Sequence, residues 1–599
     1  MYVVFPKNVE NKIRYIHEYA KASNAATASK VDANSNVTQK TIAGLEAELF
    51  KPDTIMINRQ LVKNKLKCMY DDKLAGKYEE DLANHYIYTH DETSLKPYCA
   101  SITLYPFLLE GTKCLGGVSK APNNIRSFCG SFVNLVYQIA SNFSGAIATV
   151  EFLHMFDYFA RKTYGSDYLT THKLDIKQEL QGVVYALNQP ASARGDQSVF
   201  WNISVFDHDY LKEMFGGFYY PDGSKVDIDS VYKLQLFFLD WFREERKKEL
   251  LTFPVVTAAL LYDKDKKFKD SDFKDYLAQM NSLGLSFFVY MSDRVDSLAS
   301  CCRLRNELVD NTFSYTLGAG GVVTGSARVI TININRVMQK HEKLTELVQR
   351  VHKYLTAHKA VLKDYIDAGL LPAYTQGFMD LDKQFLTVGV NGVLEGYEFL
   401  QGKGQIASDM YDYEEYLVDI LHLIKDLNAT DSKKYGVRFN TEFVPAENLG
   451  VKNAKWDKED GLYVPRACYN SYFYPVEDEY ISVLDKLKLY SKDITDNLDG
   501  GSALHLNLEQ LLSFTQFSHL YDLCAKYGVQ YWTTNVLCTI CNDCGFINPE
   551  TTLYCTHCNS TNVDYGTRVI GYLKRISNFS EARQKEAGKR YYHKLNVKR

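Results

Sequence analysis

The spacing of apolar residues predicts alternating helices and strands over roughly the first 530 residues. In TIAGLEAELF, Ile42, Leu45 and Leu49 recur at helical spacing. In VITININ (329–335), isoleucines alternate with threonine and asparagine, a period of two that predicts a half-buried strand. No internal repeat, low-complexity tract or flexible linker divides this part of the sequence. The pattern therefore favours one large α/β domain.

One predicted strand carries a cysteine on its polar face. In CASITL (99–104), period-two alternation groups Cys99, Ser101 and Thr103 on one face and three apolar residues on the other. A cysteine that shares a face with two hydroxyls is suited to a polar lumen. Taken alone, however, a buried cysteine is more often a small packing residue than a catalyst.

The amino-acid composition and net charge limit the classes of protein to which this chain can belong. The chain has 599 residues, 46% hydrophobic and 24% charged, with a net charge of −4. These values are typical of a globular protein with a large core, and they argue against a nucleic-acid polymer as the main partner. The N-terminus lacks the features of a secretion signal, and the apolar stretches are too short to span a membrane. We therefore expect a cytoplasmic protein, in which thirteen cysteines indicate metal, radical or redox chemistry.

The strongest local motif is a pair of CxxC turns near the C-terminus, Cys541–Cys544 and Cys555–Cys558. Two such turns close a tetrahedral four-sulfur site, which leaves no open position and therefore predicts structural zinc. Cys538 forms a third CxxC with Cys541 and is an alternative ligand, as is His557. A nucleic-acid-binding ribbon is the other interpretation, although lysine and arginine are sparse here.

Shortly after this motif, the sequence RVIGYL contains one glycine, Gly571. The simplest interpretation is a strand followed by a turn. Glycine, however, is the residue whose Cα radical is stabilised by both flanking peptide groups with no side chain to twist it out of plane. Such a radical must be shielded from oxygen and lie close to a thiol.

RVIGY (568–572) resembles the signature of glycyl radical enzymes. With a four-cysteine ribbon before it, the sequence resembles the anaerobic (class III) ribonucleoside-triphosphate reductases. Further stretches extend the resemblance over most of the chain: THDETSLKPYC (89–99), CCRLRNEL (301–308), RVITININR (328–336), PAENL (445–449), GGSALHLNL (500–508) and, less closely, NFSEARQKEAGKR (578–590). One departure is Asn335, which stands where the family usually has proline.

The resemblance implies a ten-stranded α/β barrel of the glycyl radical enzyme and ribonucleotide reductase type, with a C-terminal zinc ribbon and a glycyl radical loop. It divides the chain as follows: an N-terminal helical extension (1–36) with no ATP-cone, a catalytic barrel (37–535) with its finger loop near 301–303, the ribbon (536–566), and the radical loop and tail (567–599).

The resemblance also assigns roles. Gly571 would store the radical, Cys302 would form the thiyl that attacks the ribose, and Cys99 would donate hydrogen from the opposite side of the ring. Cys301 is the alternative to Cys302, which we favour because Arg303 follows it. Glu447 and Asn448 would contact the substrate, although both residues also suit a helix start.

The same resemblance implies the partners. The substrates would be ribonucleoside triphosphates, with ATP or deoxynucleotides as effectors and formate or a thioredoxin-type protein as the reductant. A separate radical-SAM activating enzyme with an iron–sulfur cluster would form the radical, and the chain would be a homodimer.

Two other functions compete with nucleotide reduction. Acyltransferases similar to pyruvate formate-lyase share the adjacent cysteines and the glycyl radical, but they lack the ribbon and do not need Cys99. A zinc-ribbon interaction protein without catalysis would leave the CCR sequence unexplained.

Overall fold

In this computed structural model, strands occur along the whole chain where apolar and polar residues alternate. The structure describes residues 8–29, 31, 39–191, 197–295, 297–299, 305–307, 323–402, 412–443, 449–469, 472–498, 500–568 and 572–594. The strands of these residues are β1 Ile87–Thr89, β2 Cys99–Ser101, β3 Ile147–Ala148, β4 Trp201–Phe206, β5 Val255–Leu261, β6 Phe288–Ser292, β7 Ser297–Ala299, β8 Arg305–Glu307, β9 Thr324–Asn333, β10 Phe385–Asn391, β11 Arg438–Glu442, β12 Leu504–Asn507, β13 Tyr531–Asn535, β14 Cys538–Cys541, β15 Ile547–Asn548, β16 Val563–Arg568 and β17 Leu573–Arg575.

Helices connect most of the strands. They are α1 Asn8–Lys21, α2 Ala25–Ala28, α3 Ile42–Met69, α4 Asp72–Ala83, α5 Tyr105–Glu110, α6 Ile125–Ala140, α7 Phe152–Tyr164, α8 Tyr168–Thr171, α9 Lys173–Leu187, α10 His208–Phe215, α11 Ile228–Glu245, α12 Ser271–Ser282, α13 Ile334–Gln339, α14 Leu344–Asp367, α15 Pro372–Thr375, α16 Val393–Gly402, α17 Tyr413–Tyr435, α18 Leu449–Glu459, α19 Val483–Leu489, α20 Lys492–Thr495, α21 Phe514–Tyr527 and α22 Glu581–Lys589. Short 3₁₀ helices lie at Gly111–Leu115, Leu381–Lys383 and Ile576–Asn578. No helix within the described ranges is long and apolar enough to cross a membrane.

Ten strands form a closed barrel from two parallel halves. The first half is β2-β3-β4-β5-β6 and the second is β13-β12-β11-β10-β9; β2 pairs antiparallel with β9, and β6 with β13. A parallel bridge between Glu442 and Gly501 joins β11 to the segment before β12, which closes the ring. The α/β barrel expected from the sequence is therefore confirmed.

In several barrel strands the outer face lies in the apolar core beneath the helices and the inner face is largely polar, whereas the inner face of β5 is mainly apolar, with Val255 and Ala259. In β4, Trp201 and Ile203 belong to the core, whereas Asn202 and Ser204 alternate with them. Helices such as α6 and α14 cover the outside of the sheet against β3, β9 and β10. The interior of the barrel is therefore the part of the fold suited to chemistry.

Two details of the predicted strand VITININ are wrong. It is not half-buried: Thr331 and Asn333 are at most 2% exposed, because the polar face of β9 lines the closed barrel. The strand also ends early, at Asn333. The side chain of Asn333 accepts a hydrogen bond from Arg336 N and caps α13, so Asn335 belongs to a helix.

A second, smaller sheet lies beside the barrel. Its order is β15-β14-β16-β17, with antiparallel pairing throughout. It contains the CxxC motifs, and from here on the ribbon means this sheet (538–575), which runs past the limit of 566 predicted from the sequence. Its last hairpin pairs Arg568 with Leu573, so the four residues 569–572 connect β16 to β17.

Candidate active site

The alternation predicted around Cys99 is confirmed within β2, but the strand ends at Ser101 and Thr103 lies beyond it. Ala100 and Ile102 belong to the main apolar core, whereas Cys99 lies in a separate small cluster with Ala146, packed against Phe200. Cys99 is 2% exposed and pairs with Ser326 of β9 across the antiparallel junction of the two half-barrels. Residues directly opposite each other in such a pair share a face, so both side chains lie on the inner face.

The inner face of the first half-barrel continues from Ser101. The register aligns Ser101 with Ala148 of β3 and Ala148 with Asn202 of β4. The small alanine between the two polar residues leaves space in the middle of the row. Ser101 Oγ and Asn202 Nδ2 are buried and have no hydrogen-bond partner in the described part of the chain.

The second half-barrel contributes a hydrogen-bonded row. Ser326 Oγ lies 2.8 Å from Thr387 Oγ1, which donates to Asn440 Oδ1 at 2.7 Å. The remaining group, Asn440 Nδ2, is fully buried without a partner among the described residues. Since an unsatisfied buried polar group costs free energy, Ser101, Asn202 and Asn440 together indicate a site for a polar ligand.

Hydrogen bonds hold the Cys99 strand from two sides. Gln384 Nε2 donates to Cys99 O at 2.9 Å, and Tyr374 OH donates to Gln384 Oε1 at 2.6 Å. Arg328, 2% exposed, donates to the carbonyls of His90, Asp91 and Lys96 at 3.1–3.3 Å. The segment that leads into Cys99 is therefore tied to β9 before the strand begins.

A buried carboxyl group lies at the far end of this strand. Glu151 accepts hydrogen bonds from Thr103 Oγ1 and from the amide of Leu104 at 2.5 Å. Burial raises the pKa of Glu151 to about 8, although both hydrogen bonds favour the carboxylate. Thr103 is therefore engaged with Glu151.

The four predicted ligand cysteines lie together. Their sulfurs are all within 4.8 Å of one another, with Cys541 Sγ 3.6 Å from Cys558 Sγ and Cys544 Sγ 3.6 Å from Cys555 Sγ. Zinc–sulfur bonds of about 2.3 Å in a tetrahedron require sulfurs about 3.8 Å apart, so the cluster fits zinc. The Cys544 amide points at Cys541 Sγ (3.4 Å) and lowers the pKa of that thiol, which favours the thiolate.

The two alternative ligands lie outside this cluster. Cys538 Sγ is 3.4 Å from the carbonyl of Gly566, and burial raises the pKa of its thiol to about 11. His557 stacks on Phe546 with ring centroids 5.4 Å apart. Cys538 is a packing residue of the ribbon: a Cβ on Gly566 would lie only 2.7 Å from its sulfur.

The ribbon leads into two anchored residues that flank the predicted radical glycine. On one side, Arg568 donates to Ser286 Oγ (3.1 Å) and Ser286 O (2.9 Å), and its guanidinium lies over Phe288. The Arg568 carbonyl accepts from Asn535 Nδ2 at 3.0 Å and from Arg590 Nη1 at 2.9 Å. These contacts attach the end of β16 to the barrel.

On the other side of the glycine, Tyr572 is 3% exposed and packs against Phe200 (5.1 Å between ring centroids) and Phe253 (5.9 Å). Phe200 also packs against the small cluster formed by Cys99 and Ala146. One aromatic side chain thus lies between the residue after Gly571 and the cluster that contains the predicted reductive cysteine.

Four predicted site residues lie outside the described residues. Gly571 falls between Arg568 and Tyr572, and Cys302 falls in the sequence between β7 and β8, which pair as an antiparallel hairpin. Glu447 and Asn448 directly precede α18, which begins at Leu449. Their roles remain predictions.

Several residues of the inner face were not identified from the sequence: Asn202, Ser326, Thr387 and Asn440. A signal for one of them was present, because WNISVF alternates apolar and polar residues as CASITL does. The others required the register between strands that are distant in the sequence.

Comparison with known proteins agrees with this architecture. The family described as anaerobic ribonucleoside-triphosphate reductase matches residues 46–593. Among solved structures, one named anaerobic ribonucleotide reductase is 27% identical, with a TM-score of 0.85, 98% of this chain and 94% of the other covered. The Thermotoga maritima anaerobic ribonucleotide reductase in complex with dATP and CTP is 27% identical, with a TM-score of 0.81 and coverage of 98% and 100%.

The same Thermotoga enzyme with dATP bound in its specificity site is also similar, at 27% identity, a TM-score of 0.79 and coverage of 97% and 100%. No curated protein sequence matches the chain significantly. The family match spans most of the chain, including the barrel, the ribbon and the two residues that flank Gly571. The chain therefore belongs to the anaerobic ribonucleoside-triphosphate reductase family, whose members are oxidoreductases that reduce nucleotides.

Proposed function

We propose that this chain reduces ribonucleoside triphosphates with a radical stored on Gly571, a thiyl on Cys302 and hydrogen donation from Cys99. The observation that carries the proposal is that Phe200 packs both against Tyr572 and against the small cluster that contains Cys99. It supports a short path between the glycine loop and the inner face that carries Cys99. Radical transfer requires such fixed proximity, and rigid aromatic packing supports it.

The reaction begins when Cys302 gives its hydrogen atom to the Gly571 radical and becomes the thiyl. The thiyl takes the hydrogen atom from carbon 3′ of the ribose, and the 2′-hydroxyl takes up a proton and leaves as water. Cys99 delivers a hydrogen atom to carbon 2′. Two electrons from formate, which is oxidised to carbon dioxide, or from the dithiol of a thioredoxin-type protein, which is oxidised to a disulfide, complete the reduction and restore the Cys99 thiol. Cys302 returns a hydrogen atom to carbon 3′, and the radical passes back to Gly571.

Three buried polar groups support ribose binding beside Cys99. Ser101 Oγ, Asn202 Nδ2 and Asn440 Nδ2 have no partner among the described residues, and a sugar hydroxyl offers both a donor and an acceptor. Glu447 and Asn448 remain our prediction for further substrate contacts, at the start of α18. Both halves of the barrel thus contribute to the proposed pocket.

The four-cysteine cluster would hold structural zinc, which supplies rigidity rather than chemistry. β16 runs from beside this cluster directly to Arg568, so the metal would fix the base of the glycine loop. The domain limits 1–36, 37–535, 536–566 and 567–599 remain our proposal from the family resemblance.

The remaining partners follow from the family. We propose nucleotide effectors, because the similar Thermotoga maritima enzyme carries dATP in its specificity site. A separate radical-SAM activating enzyme would form the radical, and the working form would be a cytoplasmic homodimer.

Replacement of Cys99 tests the proposal. We expect Cys99→Ala to form the glycyl radical at normal yield but to make no deoxyribonucleotide, because the thiyl can start a reaction that no second thiol completes. The matched control is Cys524→Ala, an equally buried cysteine in the outer core, which should retain activity. The measurement is radical yield together with deoxynucleotide product; normal reduction by Cys99→Ala would remove this residue from the mechanism.

A further inference from the structure

A second pocket lies where the ribbon meets the barrel. Much of its surface is apolar, from residues such as Leu250 and Leu285. The basic residues Arg243, Arg246 and Lys247 at the end of α11 also line it, together with Ser286 before β6 and Pro549 and Leu573 of the ribbon. Its volume is about 70 Å³. By this measure one water needs about 10–15 Å³, so the pocket holds about five waters or one small ion with its nearest waters.

The walls of the pocket are held together by close contacts. The amide of Ile547 donates to Lys247 O at 3.2 Å. Gly284, with φ +90°, approaches Pro549 so closely that a Cβ would lie 2.4 Å from the proline ring. Direct contacts between the ribbon and the barrel therefore hold the walls of the pocket in place.

Arg246 is the central group of this pocket. It is 9% exposed and donates to Leu251 O (3.2 Å) and Ser286 O (2.8 Å), two neutral carbonyls. Its Nη2 is buried without a hydrogen-bond partner, and no carboxylate of the described residues forms an ion pair with it. Arg243 Nε is likewise buried without a partner, whereas Arg243 and Lys247 both reach Glu244 at the rim.

The buried guanidinium of Arg568 adds a second positive charge beside Arg246. Arg568 also donates to Ser286 O, so the two arginines converge on one carbonyl oxygen. Burial, together with the charge of Arg568, lowers the pKa of Arg246 to about 9, and at neutral pH it still carries its proton. A buried cation without a counter-ion is costly, and a bound anion offsets that cost.

We infer that this pocket binds one small oxyanion of the phosphate class, held by Arg246 with Arg243 and Lys247 at the rim. Guanidinium groups bind tetrahedral oxyanions through paired N–H donors, and Arg246 Nη2 offers donors that nothing else uses. The volume admits a free oxyanion. Occupancy would reduce the repulsion between Arg246 and Arg568 and so strengthen the anchor of the glycine loop.

Binding of inorganic phosphate to the zinc-loaded chain tests this inference. Calorimetric titration in a buffer of constant ionic strength should show phosphate binding that Arg246→Gln weakens at least tenfold. Because Arg246 is buried and its variant could fold poorly, Lys247→Gln is the second variant. Its side chain is 41% exposed, and we expect it to weaken binding severalfold.

Lys248→Gln is the matched control, because it removes the adjacent lysine, which is outside the pocket and pairs with Glu245. We expect it to bind phosphate as the wild type does. Inorganic phosphate can also bind at a nucleotide site elsewhere in the chain. Binding there would be unchanged in the pocket variants, so the variants distinguish the two sites. Equal affinity in the wild type and in both pocket variants, or no binding at all, would overturn the inference.

Discussion

The barrel closes where Thr441 and Glu442 of β11 meet Gly500 and Gly501, a contact that we call the seam. The seam depends on Gly500. Gly500 N donates to Thr441 O at 2.8 Å, next to the bridge between Glu442 and Gly501. A Cβ on Gly500 would lie 2.4 Å from Thr441 O, 2.8 Å from Thr441 C and 3.0 Å from Asn440 Nδ2. The first two atoms are backbone and cannot turn away, so Gly500→Ala must open the seam.

The loss in free energy of unfolding caused by Gly500→Ala follows from these distances. The seam must widen by about 0.6 Å to restore a 3.0 Å contact, and such overpacking costs about 1–3 kcal/mol. One or two weakened hydrogen bonds add about 0.5–1.5 kcal/mol each, so we expect a loss of about 1.5–6 kcal/mol. With an unfolding entropy of about 2.1 cal/mol/K per residue over 599 residues, Tm should fall by about 1–5 °C.

Scanning calorimetry of the zinc-loaded protein measures this shift. The matched control is Gly182→Ala: Gly182 lies inside α9 with no atom within 4 Å of an added Cβ, so alanine should leave Tm unchanged or raise it by under about 1 °C. Nucleotide reduction should also fall in Gly500→Ala, because Asn440 faces the proposed substrate pocket. A Tm of Gly500→Ala at or above that of the wild type would refute the closed seam.

Two further predictions concern zinc and pH. Cys541→Ser or Cys558→Ser should lose zinc and radical formation while the barrel stays folded, and Cys538→Ser should keep its zinc; full radical yield without metal would contradict the ribbon's role. Burial raises the pKa of Glu151 from 4.5 to about 8, so between those pH values the folded state holds a proton that the unfolded state releases, and the free energy of unfolding falls as pH rises. Glu151→Gln should flatten this decline in denaturant titrations across pH 5–8, and an unchanged slope would assign the effect to other groups.

Local patterns in the sequence predicted much of this architecture. The alternation in CASITL identified the inner face that carries Cys99, and the two CxxC turns identified a four-sulfur cluster. Both signals depend on residues close together in the chain, where backbone geometry determines which side chains meet.

Contacts between distant segments were not predictable in this way. Arg568 contacts Ser286 across 282 residues, and Phe200 lies between Tyr572 and the small cluster that contains Cys99 because β2, β4 and the ribbon hairpin converge. The burial of Thr331 was also missed, because period-two alternation is the same for a strand that faces solvent and one that faces a closed lumen.

Electron paramagnetic resonance after anaerobic incubation with a radical-SAM activating enzyme, S-adenosylmethionine and a reductant shows directly whether Gly571 carries the radical. We expect a doublet from the remaining Cα hydrogen of Gly571, absent in Gly571→Ala, and oxygen-induced cleavage that releases a fragment of roughly residues 571–599. Absence of the doublet in the activated wild type, or the same doublet in Gly571→Ala, would contradict the assignment of the radical to Gly571.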